Sequence, residues 1–336
     1  MTPPDDDFEL AHRLADVTSQ RDRALVRLGR ERDRTAELVE AVYAAAHASA
    51  TQQPKVPKPA KDRRDAERLS ALLHLTDWQF GKVTQSYSTE VAKQRVEHVL
   101  WEGVARHTDG VRSHTPMDHC TVMLGGDMVE GTMIFPGQPF EIDSTLFDQM
   151  FAVADSIEVC VRNALEMYRE VTVVEEWGNH GRIGRKGEGP GGDNVDRMAY
   201  RVAHERLRSH ERLTWESHSS FGAHVQIENY NALLVHGDEI KGYGGNIPAF
   251  GIVRKCNGWA AGAADFDFSD VYMGHYHQVM TLTLASGGQV YVTGSPESDN
   301  QYAKEFVAAR GTPSQRLHIV DPAAGQVVQE HILWLE

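Results

Sequence analysis

The side chains in this chain best suited to chemistry are Asp, Asn and His residues that close short apolar runs. Asp77-Trp78-Gln79, Gly126-Asp127, Gly178-Asn179-His180, His236-Gly237-Asp238 and Gly274-His275-Tyr276-His277 are all placed this way. Carboxylate and amide oxygens suit Mn or Mg, and imidazole suits Zn, Fe, Mn or Ni. Two divalent ions about 3.5–4 Å apart can clamp a phosphate and activate a water between them. Such a pair needs a bridging carboxylate, and Asp127 is the natural choice. Taken singly, a Gly-Asp or a His-Gly-Asp is most often a turn. The ordered set is the signal, because no packing requirement puts five polar groups at five apolar run ends.

Those groups need elements that bring them to one edge. LLHLT runs into Asp77, VMLGG into Asp127, TVVEEWG into Asn179, LLV into His236 and VYMG into His275. The runs Ala71–Leu75, Thr121–Leu124, Val171–Val174, Ala232–Val235 and Val271–Met273 read as short buried strands. Glu90–His107, Phe147–Tyr168 and Asn194–Leu207 carry helical periodicity between them. After Gly274 the texture becomes strand-rich, over Val279–Leu284, Gln289–Val292, Arg316–Val320 and Val327–Leu335. Alternating strands and helices followed by a strand-rich tail predict a layered α/β sandwich. Ligands of open α/β sheets bind beyond the carboxyl ends of the strands, where each of these motifs falls. Gly126, Gly178, Gly237 and Gly274 allow tight turns and close backbone approach there.

The domain organisation expected is a long N-terminal helix over 1–50, a Pro/Lys/Arg-rich linker over 51–68 and a catalytic domain over 69–336. In the first segment Leu10, Leu14, Val17, Ala24, Leu28, Leu38 and Val42 follow a three-four spacing. Arg21, Glu31 and Thr35 interrupt the seam, so a solvated amphipathic helix and a homodimeric coiled coil are both open. In the linker, Pro54, Pro57 and Pro59 stand among Lys55, Lys58, Lys61, Arg63 and Arg64, with almost nothing to bury, and a solvated stretch is expected. The three cysteines, Cys120, Cys160 and Cys256, form no CxxC pair, which excludes a cysteine zinc site and points to a reducing compartment. The acidic start MTPPDDDFEL lacks the pattern of a signal peptide, and no apolar run approaches the roughly 18 residues of a membrane span. A cytoplasmic enzyme is expected. The net charge of −14 argues against a generic nucleic-acid coat protein but not against a nuclease, whose cations offset the field locally.

In order and content the motif set resembles the calcineurin-like metallophosphoesterase superfamily, whose pattern runs D-x-H, G-D-x-x-[DE], G-N-H-[DE], a lone His and G-H-x-H. The match spans about Leu69 to Thr293. The resemblance implies a four-layer αββα sandwich with two divalent ions, Mn foremost, with Mg, Zn, Fe or Ni as alternatives. One ion would take Asp77, Gln79, Asp127 and His277, and the other Asp127, Asn179, His236 and His275. His180 would contact the scissile phosphate and protonate the leaving oxygen. Gln79 stands where the family has His and offers only a neutral amide oxygen. Gly181 stands where the family has an acid, so the group that orients His180 must come from elsewhere, and Asp77 is the expected one.

The loop after His180, GRIGRKGEGPGG, carries Arg182, Arg185 and Lys186, read as a clamp for a polyanionic substrate. Trp78 is read as packing beneath the site rather than as a base-stacking platform. Gly131–Phe140 is read either as a substrate wall or dimer contact, or as a folded-back loop. Val129-Glu130-Gly131 and Gly181 disfavour the protein Ser/Thr phosphatase branch. Gly125–Gly131 is similar to the branch of bacterial and phage DNA-repair exonucleases. The function expected is hydrolysis of nucleic-acid, foremost DNA, phosphodiester bonds by a hydroxide held between the ions. Two alternatives stand beside it, a small-molecule (cyclic-nucleotide) phosphodiesterase or phosphomonoesterase, and a non-catalytic scaffold that has lost an ion. The resemblance also leaves open an ATPase partner of the kind that related repair nucleases use.

Overall fold

A computed structural model describes residues 55–64, 66–132, 134–135, 137–184, 192–219, 221–241, 247–298 and 311–336, with parts of the stretch between residues 13 and 44. Among the described residues, eleven strands form two sheets. The first has the order β11-β10-β1-β2-β3-β4 and the second β5-β6-β7-β9-β8. In the first sheet β1 (Ser70–Leu75), β2 (His119–Gly125), β3 (Glu170–Glu176) and β4 (Leu213–Glu216) run parallel. β10 (Ser314–Asp321) and β11 (Gln326–Trp334) join antiparallel. In the second, β6 (Tyr230–Leu234), β7 (Asp270–Met273) and β9 (Gln289–Val292) run parallel. They are flanked by antiparallel β5 (Ala223–Ile227) and β8 (Met280–Thr283).

Successive strand residues point to opposite faces, and in the first sheet both faces are covered, so its central strands are buried almost throughout. On β1, Ala71, Leu73 and Leu75 face a helical layer, while Leu72 faces the second sheet with Met123, Val174, Leu234 and Tyr272. The helical layer comprises α1 (Thr89–Gln94), a π-helical stretch over Arg95–Val99, α2 (Leu100–Arg112), α3 (Leu146–Met167) and α4 (Val195–Leu207). Across the second sheet, Leu233, Val271 and Met273 pack with Ile252 and Cys256 of α5 (Ala249–Gly258). Helix, sheet, sheet and helix are the four layers expected. Helix starts carry local signals. Thr145 and Asp148 form a reciprocal capping box at α3, and Asn194 caps α4.

Three elements have no counterpart in the sequence reading. β4 is a four-residue edge strand, β5 alternates His224 and Gln226 with apolar residues, and α5 starts without a side-chain cap. Over residues 55–64 most side chains are exposed, yet the stretch is anchored to the domain at several points. Val56 is buried in the core on the helical side of the first sheet, Arg212 donates to the Val56 and Pro57 carbonyls, and Arg169 donates to that of Pro59. Two arginines from the domain thus hold this stretch against its surface, which the Pro and Lys content does not reveal. In the N-terminal segment the described residues between 13 and 26 are helical and exposed, and most of 1–50 lies outside the described residues. No helix among the described residues is long and apolar enough to cross a membrane.

Candidate metal centre

The carboxyl ends of β1, β2 and β3 in one sheet and of β6 and β7 in the other converge on one point. The backbone there departs from ordinary preference. Six described non-glycine residues have positive φ: Asp77 (54°), Gln79 (46°), Asp127 (51°), Glu228 (51°), His275 (67°) and His277 (53°). All but Glu228 are expected ligands. Left-handed backbone is costly for residues with a Cβ, and it persists where surrounding structure and function over-determine it. The loops also cross very closely. A Cβ on Gly178 would lie 2.1 Å from Asp127 Oδ1, and one on Gly274 would lie 2.2 Å from Asp77 Oδ2. Only glycine fits at either crossing.

Ligand atoms of Asp127, His236 and His275 lie within 4.8 Å of one another, and the carboxylate and His236 are fully buried. His236 pairs through Nδ1 with the Gly125 carbonyl at 2.9 Å, which directs Nε2 at Asp127 Oδ2, also 2.9 Å away. A carbonyl partner of this kind fixes the tautomer of a ligating imidazole. Burial and the neighbouring His236 push His275 down to about 4, so its ring is unprotonated near neutrality. Burial disfavours charge on Asp127, yet His236 and His180 outweigh it and hold the carboxyl below the ordinary range. The Asn179 Oδ1 atom is buried with no hydrogen-bond partner among the described residues. Its loop crosses Asp127, whose carboxylate accepts the His180 amide, and a carboxylate, two imidazoles and an unsatisfied buried amide oxygen are donors suited to a divalent ion, so this half of the site fits a metal.

Next to it lie Asp77 and His277. Asp77 accepts the His275 amide at 2.9 Å and the Thr76 hydroxyl at 2.9 Å, and its Oδ1 is 3.4 Å from His277 Nε2. The other ring nitrogen of His277 meets Glu297 Oε2 at 2.8 Å. Asp77 and His277 thus lie together, a carboxylate and an imidazole of the kind a divalent ion takes. Gln79 is also brought here, with its amide nitrogen 3.2 Å from His277 Nε2.

His180 sits on the rim. Its amide donates to Asp127 Oδ1 at 2.6 Å, and its Nδ1 meets the Glu130 carbonyl oxygen at 2.8 Å and the Glu130 carboxylate at 3.3 Å. Asp77 is not the orienting group, because the ring nitrogens of His180 face Glu130 (Nδ1, 3.3 Å) and Asp127 (Nε2, 4.0 Å) instead. Glu130 takes that role, and it is the acid of the G-D-x-x-[DE] pattern. Burial would lower the His180 pKa, but Asp127 and Glu130 outweigh it and raise it to about 9. The loop after Glu130 folds back, with Gln138 buried and donating to the Glu130 carbonyl at 2.7 Å, while Phe135 stands edge-on to His180. Trp78 is completely buried beside Phe80, as packing beneath the site requires.

Arg182 is half-buried next to the site and donates to the Gly184 carbonyl. Arg185 and Lys186 lie outside the described residues.

Three positions around the centre escaped the sequence reading. Glu297 orients His277. Lys82 is buried between Glu297 Oε1 at 3.1 Å and Glu130 Oε1 at 3.9 Å. Asp196, fully buried at the start of α4, accepts the amides of Asp127, Met128, Val129 and Gly178 at 2.9, 3.1, 3.2 and 3.0 Å. Burial and Asp127 push Asp196 up to about 6 against the pull of these donors. Its neighbour Asn194 donates to the Gly178 carbonyl at 2.8 Å. One helix start therefore fixes both the Asp127 and the Asn179 loops.

Neither a family model nor a curated protein matches the chain. Among solved structures it is similar to zinc-complexed Vps29 from Entamoeba histolytica, at 13% identity and TM-score 0.36 over 79% of this chain and 99% of that one. It is also similar to a metallophosphoesterase from Sphaerobacter thermophilus, at 15% identity and TM-score 0.31 over 80% and 89%. A dimetal phosphatase from Danio rerio aligns at 11% identity and TM-score 0.33 over 81% and 100%.

Proposed function

We propose that this protein is a calcineurin-like metallophosphoesterase that hydrolyses nucleic-acid phosphodiester bonds. The observation that carries the phosphoesterase reading is the cluster of buried Asp127 and His236 with half-buried His275, and His180 on its rim. Asp77, Asp127 and His277 would hold one ion, and Asp127, Asn179, His236 and His275 the other. Divalent ions there supply positive charge to the phosphoryl oxygens and lower the pKa of an attacking water. The chain's own residues do the rest. His180 is held through Nδ1 by Glu130, so Nε2 is free to carry a proton to the leaving oxygen. Asp127 fixes that histidine through its backbone amide and keeps it protonated by charge. The ring of Phe135 stands against His180 at the rim and Arg182 follows His180 by two residues, which supports a substrate with both anionic and flat apolar parts. The likeness of Gly125–Gly131 to the repair-exonuclease branch supports DNA.

Hydrolysis of bis-p-nitrophenyl phosphate with Mn²⁺ is expected to exceed that of the monoester. Linear single- and double-stranded DNA are expected to be degraded faster than a 2′,3′-cyclic nucleotide. Preference for the monoester or the cyclic nucleotide would move the assignment to a small-molecule phosphoesterase. Failure to turn over any phosphoester with Mn²⁺, Mg²⁺, Zn²⁺ or Ni²⁺ would make the protein a scaffold.

A further inference from the structure

We propose that Lys82 turns the Gln79 side chain so that its N–H group, not its oxygen, faces the metal centre, leaving the ion beside Asp77 and His277 with one protein ligand fewer than its neighbour. This inference rests on the metallophosphoesterase reading and concerns how unequal the two positions are.

Lys82 is buried, and its ammonium lies 3.3 Å from Gln79 Oε1, 3.1 Å from Glu297 Oε1 and 3.9 Å from Glu130 Oε1. An ammonium has three donors and no acceptor, so the atom of Gln79 that meets it must be the oxygen. Reversing the amide would set N–H against N–H in a buried place, at the cost of an unsatisfied charged donor. The two carboxylates, of Glu297 and Glu130, both face the Lys82 amine, an arrangement that favours its charged form. The Gln79 amide nitrogen is thereby left on the His277 side, 3.2 Å from Nε2. An amide nitrogen has no lone pair to offer a divalent cation, whereas it donates readily to a water or a phosphoryl oxygen. The same ammonium spans Glu297, which holds His277, and Glu130, which holds His180. Lys82 is thus a positioning residue, and Gln79 is a donor to the substrate side of the site.

The test is a calorimetric Mn²⁺ titration of the full chain, with bound metal counted independently by elemental analysis. The wild type is expected to bind two ions of unequal affinity. Gln79→Ala is expected to leave both affinities within about twofold, since no ligand is lost. Gln79→Glu keeps one oxygen on Lys82 and presents a second to the centre, and is expected to tighten the weaker site by at least about tenfold, the low end of the change that single residues around a metal produce. A loss of about tenfold or more, or disappearance of one ion, in Gln79→Ala would overturn the proposal, as would equal sites in the wild type. Absence of any bound Mn²⁺ in the wild type would instead remove the metallophosphoesterase reading beneath it. Both substitutions keep Lys82 and its carboxylates. A thermal melt without metal is expected to stay near the wild-type value and so separates a metal effect from misfolding.

Discussion

Asp196→Asn isolates the device that holds the centre's loops together. The Asp196 carboxylate accepts four backbone amides, two on each oxygen, from Asp127, Met128, Val129 and Gly178. An asparagine keeps one oxygen and turns the other into an N–H donor. Whichever way it sits, two buried amides lose their acceptor and face a hydrogen instead. Hydrogen bonds to a charged group contribute about 1.5–3 kcal/mol each, so two of them represent about 3–6 kcal/mol. Removing the charge also relieves repulsion with Asp127, which acts the other way. The lower end, about 3 kcal/mol, is therefore the expected loss. Urea unfolding of metal-free protein at pH 7.5 would read it as a lower midpoint at unchanged slope. Mn²⁺ affinity is expected to fall with it, because the displaced amides belong to the loops of Asp127 and Asn179. A loss below about 1 kcal/mol, the range of ordinary surface substitutions, would refute the reasoning and mean that water replaces the carboxylate.

His180→Ala is expected to lower kcat by about 10²–10⁴-fold, the range of a general acid, with the amount of bound Mn²⁺ unchanged. Loss of metal together with activity would show that His180 is a ligand. In metal-free protein the His180 ring, followed by NMR, is expected to titrate near 9, protonated below that pH and neutral above it. Glu130→Gln removes one of the two charges that raise this value, so its midpoint is expected to move down. An unmoved midpoint would assign the shift to Asp127 alone.

The parts of the site legible in the sequence are those where an apolar run stops abruptly at a ligand. Asp77, Asp127, Asn179, His236, His275 and His277 all meet that description, and β1, β2, β3, β6 and β7 deliver them to one edge. Glu130 stands three residues after Asp127 in the acidic position of the pattern, yet the sequence expectation gives its orienting role to Asp77. The supporting residues were not legible. Asp196 looks like an ordinary acidic residue in the first turn of a helix, and its four amide partners lie up to 69 residues away. Glu297 and Lys82 meet only through the packing of the two sheets, 215 positions apart in a chain that carries no motif around either. Edge strands such as β4 and a single buried valine such as Val56 give too little local pattern to read. The layered α/β sandwich was legible in the alternation of strand and helix segments followed by a strand-rich tail, and the four-layer arrangement followed from the family resemblance.

The left-handed backbone at Asp77, Gln79, Asp127, His275 and His277 has a wider consequence. Glycine would sit more comfortably at all five places, and a sequence shaped only by ease of folding would drift toward it. Polar side chains persist there because something other than folding demands them. The torsion angles therefore mark the centre of this protein independently of any motif, and a glycine scan of these five positions would sort the side chains that the chemistry needs from those that are merely tolerated.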